Sequence, residues 1–121
     1  MSDATTTLQR EIRGGKITPA MSFNQKVWAV TARIPRGKVI TYADVARTLK
    51  TTAYRAVGQA LHRNPYAPGV PCHRVVGSDG KLTGYAHGVA KKRQLLESEG
   101  VEFRGTRVDL QKSRAGKLQP T

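Results

Sequence analysis

A single cysteine, Cys72, stands in 121 residues. That excludes an internal disulfide framework and any multi-cysteine zinc site, and it suits the thiol to a reducing compartment. The expected location is the cytoplasm, at the nucleoid, or the nucleus in a eukaryote. Acids are also scarce: 21 Lys+Arg against 8 Asp+Glu leave a net charge of +13 and a pI near 10.6. A field of that sign favours polyanions such as nucleic acid or an anionic membrane surface, and a basic solubilising surface would give the same balance. No apolar run approaches the ~18 residues of a membrane span, and the first residues lack the apolar core of a signal peptide, so no membrane association is expected. The length allows one domain with a modest core.

The chain divides into three by composition. Residues 1–20, small and polar with Gly14-Gly15, are expected to form a flexible arm with a short ordered piece near Leu8 to Ile12. Residues 21–103 carry the periodic segments. Ser22 and Gln25 form a capping-box signature, followed by Phe23, Val27, Val30 and Ile34 at helical spacing, with Trp28 beside the stripe. Thr41 and Asp44 repeat the signature before a second helix with Tyr42, Val45, Ala46 and Leu49 on one face. A third helix is expected from about Ala53 to Arg63, which makes a helix-turn-helix pattern.

That third helix is lean. Gly58 in a helix interior costs about 1 kcal/mol against Ala, which points to a close approach of another backbone. Ala56 and Gly58 would let the helix lie deep in a groove with Arg55 projecting, or would serve ordinary helix–helix packing. A last helix is expected from Val89 to about Ser98, with Val89, Leu95 and Leu96 inward and Lys91-Lys92-Arg93 outward, ended by Gly100. Residues 104–121 hold five Lys/Arg against one acid, Asp109, and are expected to be a disordered basic tail able to add DNA affinity.

Between these helices lies Val70-Pro71-Cys72-His73-Arg74-Val75-Val76, expected to be a short buried strand. A thiol is nucleophilic only as the thiolate, so a reactive cysteine needs a base or a positive charge nearby. His73 and Arg74 are suitable types, though adjacency alone does not make them face the sulfur. A lone cysteine is otherwise a buried structural residue.

Ile34-Pro35-x-Gly37, Thr41-Tyr42, Arg55-Ala56-Val57-Gly58, Asn64-Pro65, Pro71-Cys72-His73-Arg74-Val75, Gly84-Tyr85, Leu95-Leu96 and Glu99-Gly100 occur together and in order. With them, the segment from Phe23 to Gly100 resembles the C-terminal domain of O6-alkylguanine-DNA alkyltransferases, the methylated-DNA–protein-cysteine methyltransferases. The fold expected is mostly α with short strands (α+β), a winged-helix-like domain containing the helix-turn-helix. The resemblance implies that Cys72 takes the alkyl group from O6 of a flipped-out guanine, activated by His73 through a water and Glu99. It implies that Tyr42 stabilises the flipped nucleotide and helps protonate the departing guanine, and that Asn64 braces the active-site loop. Arg55 would fill the vacated space in the duplex, entering by the minor groove with Ala56, Gly58, Tyr54 and Thr41 against the DNA. Tyr42, Pro71, Val75, Tyr85 and Ala86 would line the base pocket.

Three departures accompany the resemblance. The family's usual N-terminal domain, with the zinc site it sometimes carries, is not expected. Tyr54 stands where many relatives have a small residue, and Ala86-His87 replaces loop residues that bond the O6 atom in some members. No metal or cofactor is expected, and the partner is double-stranded DNA containing O6-alkylguanine, bound by a monomer. The short length also resembles the alkyltransferase-like proteins, which bind alkylated guanine without removing the group and hand it to nucleotide excision repair. Those usually carry Trp at the cysteine position, so Cys72, His73 and Glu99 favour the transferase. A basic helix-turn-helix regulator with an incidental cysteine is the third reading.

Overall fold

Two reciprocal capping boxes set the frame of the computed structural model, which describes residues 3–85, 87–116 and 118. Ser22 Oγ accepts from the Gln25 N–H at 3.2 Å while Gln25 Oε1 accepts from the Ser22 N–H at 2.9 Å. This starts helix α2 (Phe23–Ala32), which follows α1 (Asp3–Arg13). Val27, Val30 and Ile34 lie within the main core, as their spacing requires. Trp28 donates its indole N–H to the Ala60 carbonyl at 2.7 Å and meets the Tyr66 ring edge-on, so it belongs to the packing.

The second box closes a strand directly onto a helix. Strand β1 (Ile40–Thr41) pairs in parallel with β2 (Val75–Val76), Ile40 opposite Val75 and Thr41 opposite Val76. Thr41 is at once the last strand residue and the cap of α3 (Tyr42–Thr48), its hydroxyl accepting from the Asp44 N–H at 3.1 Å. The helix ends with Lys50 at φ 57°, where the Thr51 N–H reaches the Ala46 carbonyl and the Lys50 N–H that of Arg47. This double bond satisfies the helix's last carbonyls, though a non-glycine residue in the left-handed region costs about 1–2 kcal/mol. Helix α4 (Tyr54–His62) follows, completing the helix-turn-helix.

Helix α5 (Val89–Ser98) ends in the same kind of motif. Gly100 takes φ 88°, its N–H bonds Glu97 O, and the Val101 N–H bonds Leu96 O, which fixes Glu99 at the turn. The domain is mostly helical with short strands, and winged-helix-like as expected.

Both ends differ from the expectation. The ordered piece expected near Leu8 to Ile12 is present but longer, so residues 3–20 are not a flexible arm: α1 buries Ile12 completely against Met21, Ala29 and Val70, and Arg33 Nε donates to Gly15 O at 2.8 Å. Burying one Ile is worth about 2 kcal/mol, enough with the Arg33 tie to hold a short helix in place. Nor is the basic segment after 103 disordered as far as Gly116. Strands β3 (Phe103–Arg104) and β4 (Arg107–Val108) form a hairpin, and α6 (Leu110–Ser113) follows. The Val108 N–H bonds Gly80 O so closely that a β-carbon on Gly80 would strike the Val108 carbonyl. Arg114 then runs beside Val39, with Val39 N–H to Ser113 O and Ala115 N–H to Val39 O, both at 2.8 Å.

Two side-chain expectations on α5 also change. Val89 is exposed, whereas Lys92 is buried with 1% of its surface accessible. Leu96 is inward as expected.

Candidate active site

Cys72 lies in a single turn of 3-10 helix, Cys72–Arg74, rather than in a strand. The Arg74 N–H closes the turn on Pro71 O at 2.8 Å, and β2 begins only at Val75. Three residues per turn send successive side chains about 120° apart. Cys72, His73 and Arg74 therefore point three ways, and their roles separate.

His73 is 1% exposed, and its Nε2 meets Glu99 Oε2 at 3.0 Å. Burial lowers its pKa below the usual 6.5, against the opposing pull of Glu99, so the ring is neutral at pH 7. Burial alone would raise the Glu99 pKa, but hydrogen bonds from Arg74 and His73 outweigh it and hold the carboxyl below its ordinary value. An ionised carboxylate only accepts, so Nε2 carries the ring proton and Nδ1 is left with its lone pair. Nδ1 is buried and has no hydrogen-bond partner among the described residues. The sequence's adjacent Cys-His pair thus becomes a thiol followed in the chain by a neutral base whose tautomer is set by Glu99.

Arg74 does not activate the thiol by charge. It donates from Nε and Nη2 to the two oxygens of Glu99, at 2.9 and 2.8 Å, and from Nη1 to Ile34 O at 2.8 Å. The fork clamps the carboxylate that orients His73. Gly37, at φ 86°, sits against the same turn: a β-carbon there would lie 3.0 Å from Glu99 O. That contact joins the Ile34-Pro35-x-Gly37 and Glu99-Gly100 motifs in space.

The loop before Cys72 is braced by Asn64. Its Nδ2 donates to Val70 O at 2.8 Å, and its Oδ1 accepts from the Tyr66 N–H at 2.9 Å. Burial raises the Cys72 pKa, opposed in order by a hydrogen bond with the Asn64 side chain, the charge of Lys92 and nearby backbone groups. The thiol is 6% exposed and rests protonated at neutral pH, so thiolate formation requires a base.

Tyr42, first in α3, bonds Thr83 Oγ1 through its hydroxyl at 2.6 Å. Burial raises its pKa, with the neighbouring Cys72 adding to the effect, so it stays a proton donor. Tyr85 is 9% exposed, and its ring meets those of His73 and His87 edge-on. Its pKa is also raised, first by burial and then by Cys72 and Glu99. Pro71 and Val75 are buried beside Cys72 in sequence, whereas Ala86 lies outside the described residues.

The groups expected on DNA lie on one helix, with one exception. Tyr54 is 52% exposed, Arg55 is exposed with no hydrogen-bond or ion-pair partner among the described residues, and Ala56 is partly covered. Beyond the backbone of its own helix, no atom lies within 4 Å of the place a β-carbon on Gly58 would take, which removes helix–helix packing as the reason for that glycine. Thr41 is the exception: it is 2% exposed and its hydroxyl serves the α3 cap, so it is not a direct contact. An apolar cavity of about 340 Å³ opens between Tyr42, Ala43, Tyr54 and Ser78. A more polar one of about 560 Å³ adjoins it through Ala43 and Tyr54, lined by Arg47, Lys50, Thr51 and Thr52. Among the described residues, no three His, Cys, Asp or Glu side chains cluster as metal ligands.

Two placements were not available from the sequence: Arg74, left open there, is committed to Glu99 across 25 residues, and Lys92, expected outward in a Lys-Lys-Arg run, is buried.

Known proteins are similar over most of this span. Residues 22–101 match the family described as "6-O-methylguanine DNA methyltransferase, DNA binding domain". A methylated-DNA–protein-cysteine methyltransferase of Methanosarcina barkeri is 50% identical over 86 residues, which cover 69% of this chain and 54% of that protein. The chain spans about half the length of the curated relatives it matches. Among solved structures, Mycobacterium tuberculosis OGT in complex with DNA superposes with a TM-score of 0.64 at 38% identity, covering 79% of this chain and 65% of that one. Schizosaccharomyces pombe Atl1, in complex with damaged DNA containing O6-carboxymethylguanine, gives 0.66 at 30% identity, covering 78% and 95%. With the thiol, the neutral histidine and the clamped carboxylate all inside the matched span, the chain belongs to the 6-O-methylguanine DNA methyltransferase family through that family's DNA-binding domain.

Proposed function

We propose that this chain repairs DNA by moving an alkyl group from O6 of guanine to its own Cys72, once per molecule. The observation that carries the reading is the His73 Nε2–Glu99 contact of 3.0 Å, which leaves Nδ1 as a base on the residue next to a buried thiol. The thiol proton passes through a water to Nδ1, and sulfur attacks the alkyl carbon. The S–C bond forms as the C–O6 bond breaks, and the electron pair leaves on the guanine. Tyr42 supplies the guanine's proton, and return of the proton from His73 to Tyr42 closes the balance. No cofactor enters, and the thioether is too stable to reset the enzyme.

The base must first leave the stack, at a cost of a few kcal/mol that is lower for a damaged pair. The lean, exposed face of α4 supports approach through the minor groove, with Arg55 taking the vacated place. The net charge of +13 supports sequence-independent attraction to the duplex. In this proposal the chain works as a monomer in the cytoplasm, at the nucleoid, or in the nucleus of a eukaryote. Digestion of a treated O6-methylguanine duplex to nucleosides tests this: the lesion is converted to guanine in proportion to protein added.

A second reading is a lesion-binding protein that passes alkylated guanine to nucleotide excision factors. The match over 95% of Atl1 supports it, and the retained Cys72, His73 and Glu99 weigh against it. Under that reading the nucleoside composition stays unchanged while the lesion duplex is bound in preference to undamaged DNA.

A further inference from the structure

Helix α1 precedes residues 22–101, the span shared with the family, yet its last turn reaches the loop that carries the thiol. The helix is anchored at its C-terminal end. Gly15, at φ 77°, lets the Lys16 N–H reach Glu11 O at 2.9 Å and its own N–H reach Ile12 O at 3.0 Å. Arg33 of α2 then holds Gly15 O. This fixed end sets Ile12 and Arg13 against the segment between Asn64 and Cys72. Ile12 and Val70, both fully buried, share one cluster, with Tyr66 packed against it. The Arg13 guanidinium lies 5.4 Å from the centre of the Tyr66 ring, and Trp28 meets the same ring edge-on at 5.8 Å.

Val70 and Tyr66 in turn set where Cys72 stands. The Val70 N–H bonds Tyr66 O at 2.9 Å, and Val70 O accepts from Asn64 Nδ2 at 2.8 Å and from the Cys72 N–H at 2.9 Å. Pro71, at φ −84° and ψ 68°, spans that last bond as an inverse γ-turn. The thiol residue therefore hangs from Val70 with one residue between them. Asn64 holds this loop by its backbone, and α1 holds it by its side chains.

We propose that α1 clamps the active-site loop, with Ile12 and Arg13 as positioning residues that act on Cys72 through Val70 and Tyr66. The proposal rests on the alkyl-transfer reading and adds to it a brace outside the shared domain. Sulfur must meet the alkyl carbon in line with the departing oxygen, and an error of about 1 Å in such a geometry can cost on the order of a hundred-fold in rate. A loop free to shift loses that alignment and at the same time uncovers a thiol that is 6% exposed when seated. The two effects have opposite signs: transfer slows while reaction with an outside reagent quickens.

Cys72 is the only cysteine, so labelling by N-phenylmaleimide reads its exposure without DNA. In Ile12→Ala, methyl transfer at saturating O6-methylguanine duplex should fall about five-fold or more with duplex affinity unchanged, and labelling should rise several-fold. Ile12→Val should restore both. Val108→Ala, which truncates the separate core cluster of Val39 and Leu96, should move neither rate. Arg13 is exposed, so Arg13→Ala keeps the fold and should shift both rates in the same two directions by about two-fold. Wild-type values of both rates in folded Ile12→Ala overturn the proposal, as they do in Arg13→Ala if Ile12→Ala does not fold. Equal shifts in Val108→Ala overturn it too, because general loosening then explains them. A wild-type protein that never demethylates a lesion duplex overturns the transferase reading instead, and the labelling rates still decide the clamp.

Discussion

Arg74 holds both carboxylate oxygens of Glu99, at 2.9 and 2.8 Å, while the same carboxylate takes His73 Nε2 at 3.0 Å. The acid that orients the base is thus itself oriented, and a guanidinium fork does this better than an ammonium. Arg74→Lys keeps the charge and loses the fork, so methyl transfer should slow at least ten-fold with little change in DNA affinity. Arg74→Met leaves a nearly buried carboxylate without its main partner and should cost on the order of 3 kcal/mol of stability by denaturant unfolding. Equal rates in wild type and Arg74→Lys would make the clamp irrelevant to catalysis.

Acid should weaken the protein through the same pair. The folded His73 pKa lies below 6.5, so as pH falls the unfolded chain takes up a proton that the folded chain resists, and stability drops. The Glu99 pKa lies below 4.5, so its contribution is present above that value and is lost as pH falls through the folded pKa. Urea unfolding at pH 7.5, 6 and 5 should show stability declining with acid, and His73→Gln should flatten the slope below pH 6.5. The same slope in both proteins would mean that His73 is not held neutral.

The C-terminal segment should prove structural. Arg114 donates from Nε and Nη2 to the two Asp44 oxygens, and Asp44 also accepts from the Thr41 N–H at 3.0 Å to complete the α3 cap. Asp44→Ala should therefore lose about 1–2 kcal/mol, and Arg114→Ala about 1 kcal/mol or less, because that pair is partly exposed. A chain ending at residue 103 loses the β3–β4 hairpin and the strand partner of Val39, so it should melt well below wild type. An unchanged melting temperature would return the segment to the role of a solvated tail.

How legible these features were depended on sequence distance. The capping boxes at Ser22 and Thr41 were visible because cap and partner lie three residues apart, and the apolar stripe of α2 because its period is local. Cys72, His73, Asn64 and Tyr42 were visible through their motif neighbours. The Arg74–Glu99 fork spans 25 residues and leaves no periodic trace. Lys92 reads as surface in Lys91-Lys92-Arg93 because only folded carbonyls from Val75 and Thr83 make its burial tolerable. The order of the last segment was hidden for a similar reason: Val108 meets Gly80 in a contact that hydropathy does not encode. In α1, Leu8 and Ile12 marked a short ordered piece, but two apolar residues make too thin a stripe among threonines to show a helix from Asp3 to Arg13.

Arg55 distinguishes a helical finger from a phosphate contact. It projects from α4 with no internal partner among the described residues, beside Ala56 and the open Gly58. A phosphate contact would weaken binding to all DNA alike and lower the salt slope by about one unit. A finger stabilises the extruded base, so Arg55→Ala should slow repair most for the lesion opposite cytosine in a duplex. The defect should shrink opposite an abasic gap or in a single strand, where unstacking and unpairing are largely absent. An equal defect on all three substrates would make Arg55 an ordinary basic contact.

The central claim is that Cys72 itself becomes the alkyl acceptor. Intact-mass spectrometry after incubation with excess O6-methylguanine duplex, followed by peptide mapping, tests it directly. The account predicts one added methyl per molecule, placed on Cys72 and absent from a Cys72→Ala protein that still binds the lesion. An unchanged mass after prolonged incubation, with the lesion duplex bound, would contradict it.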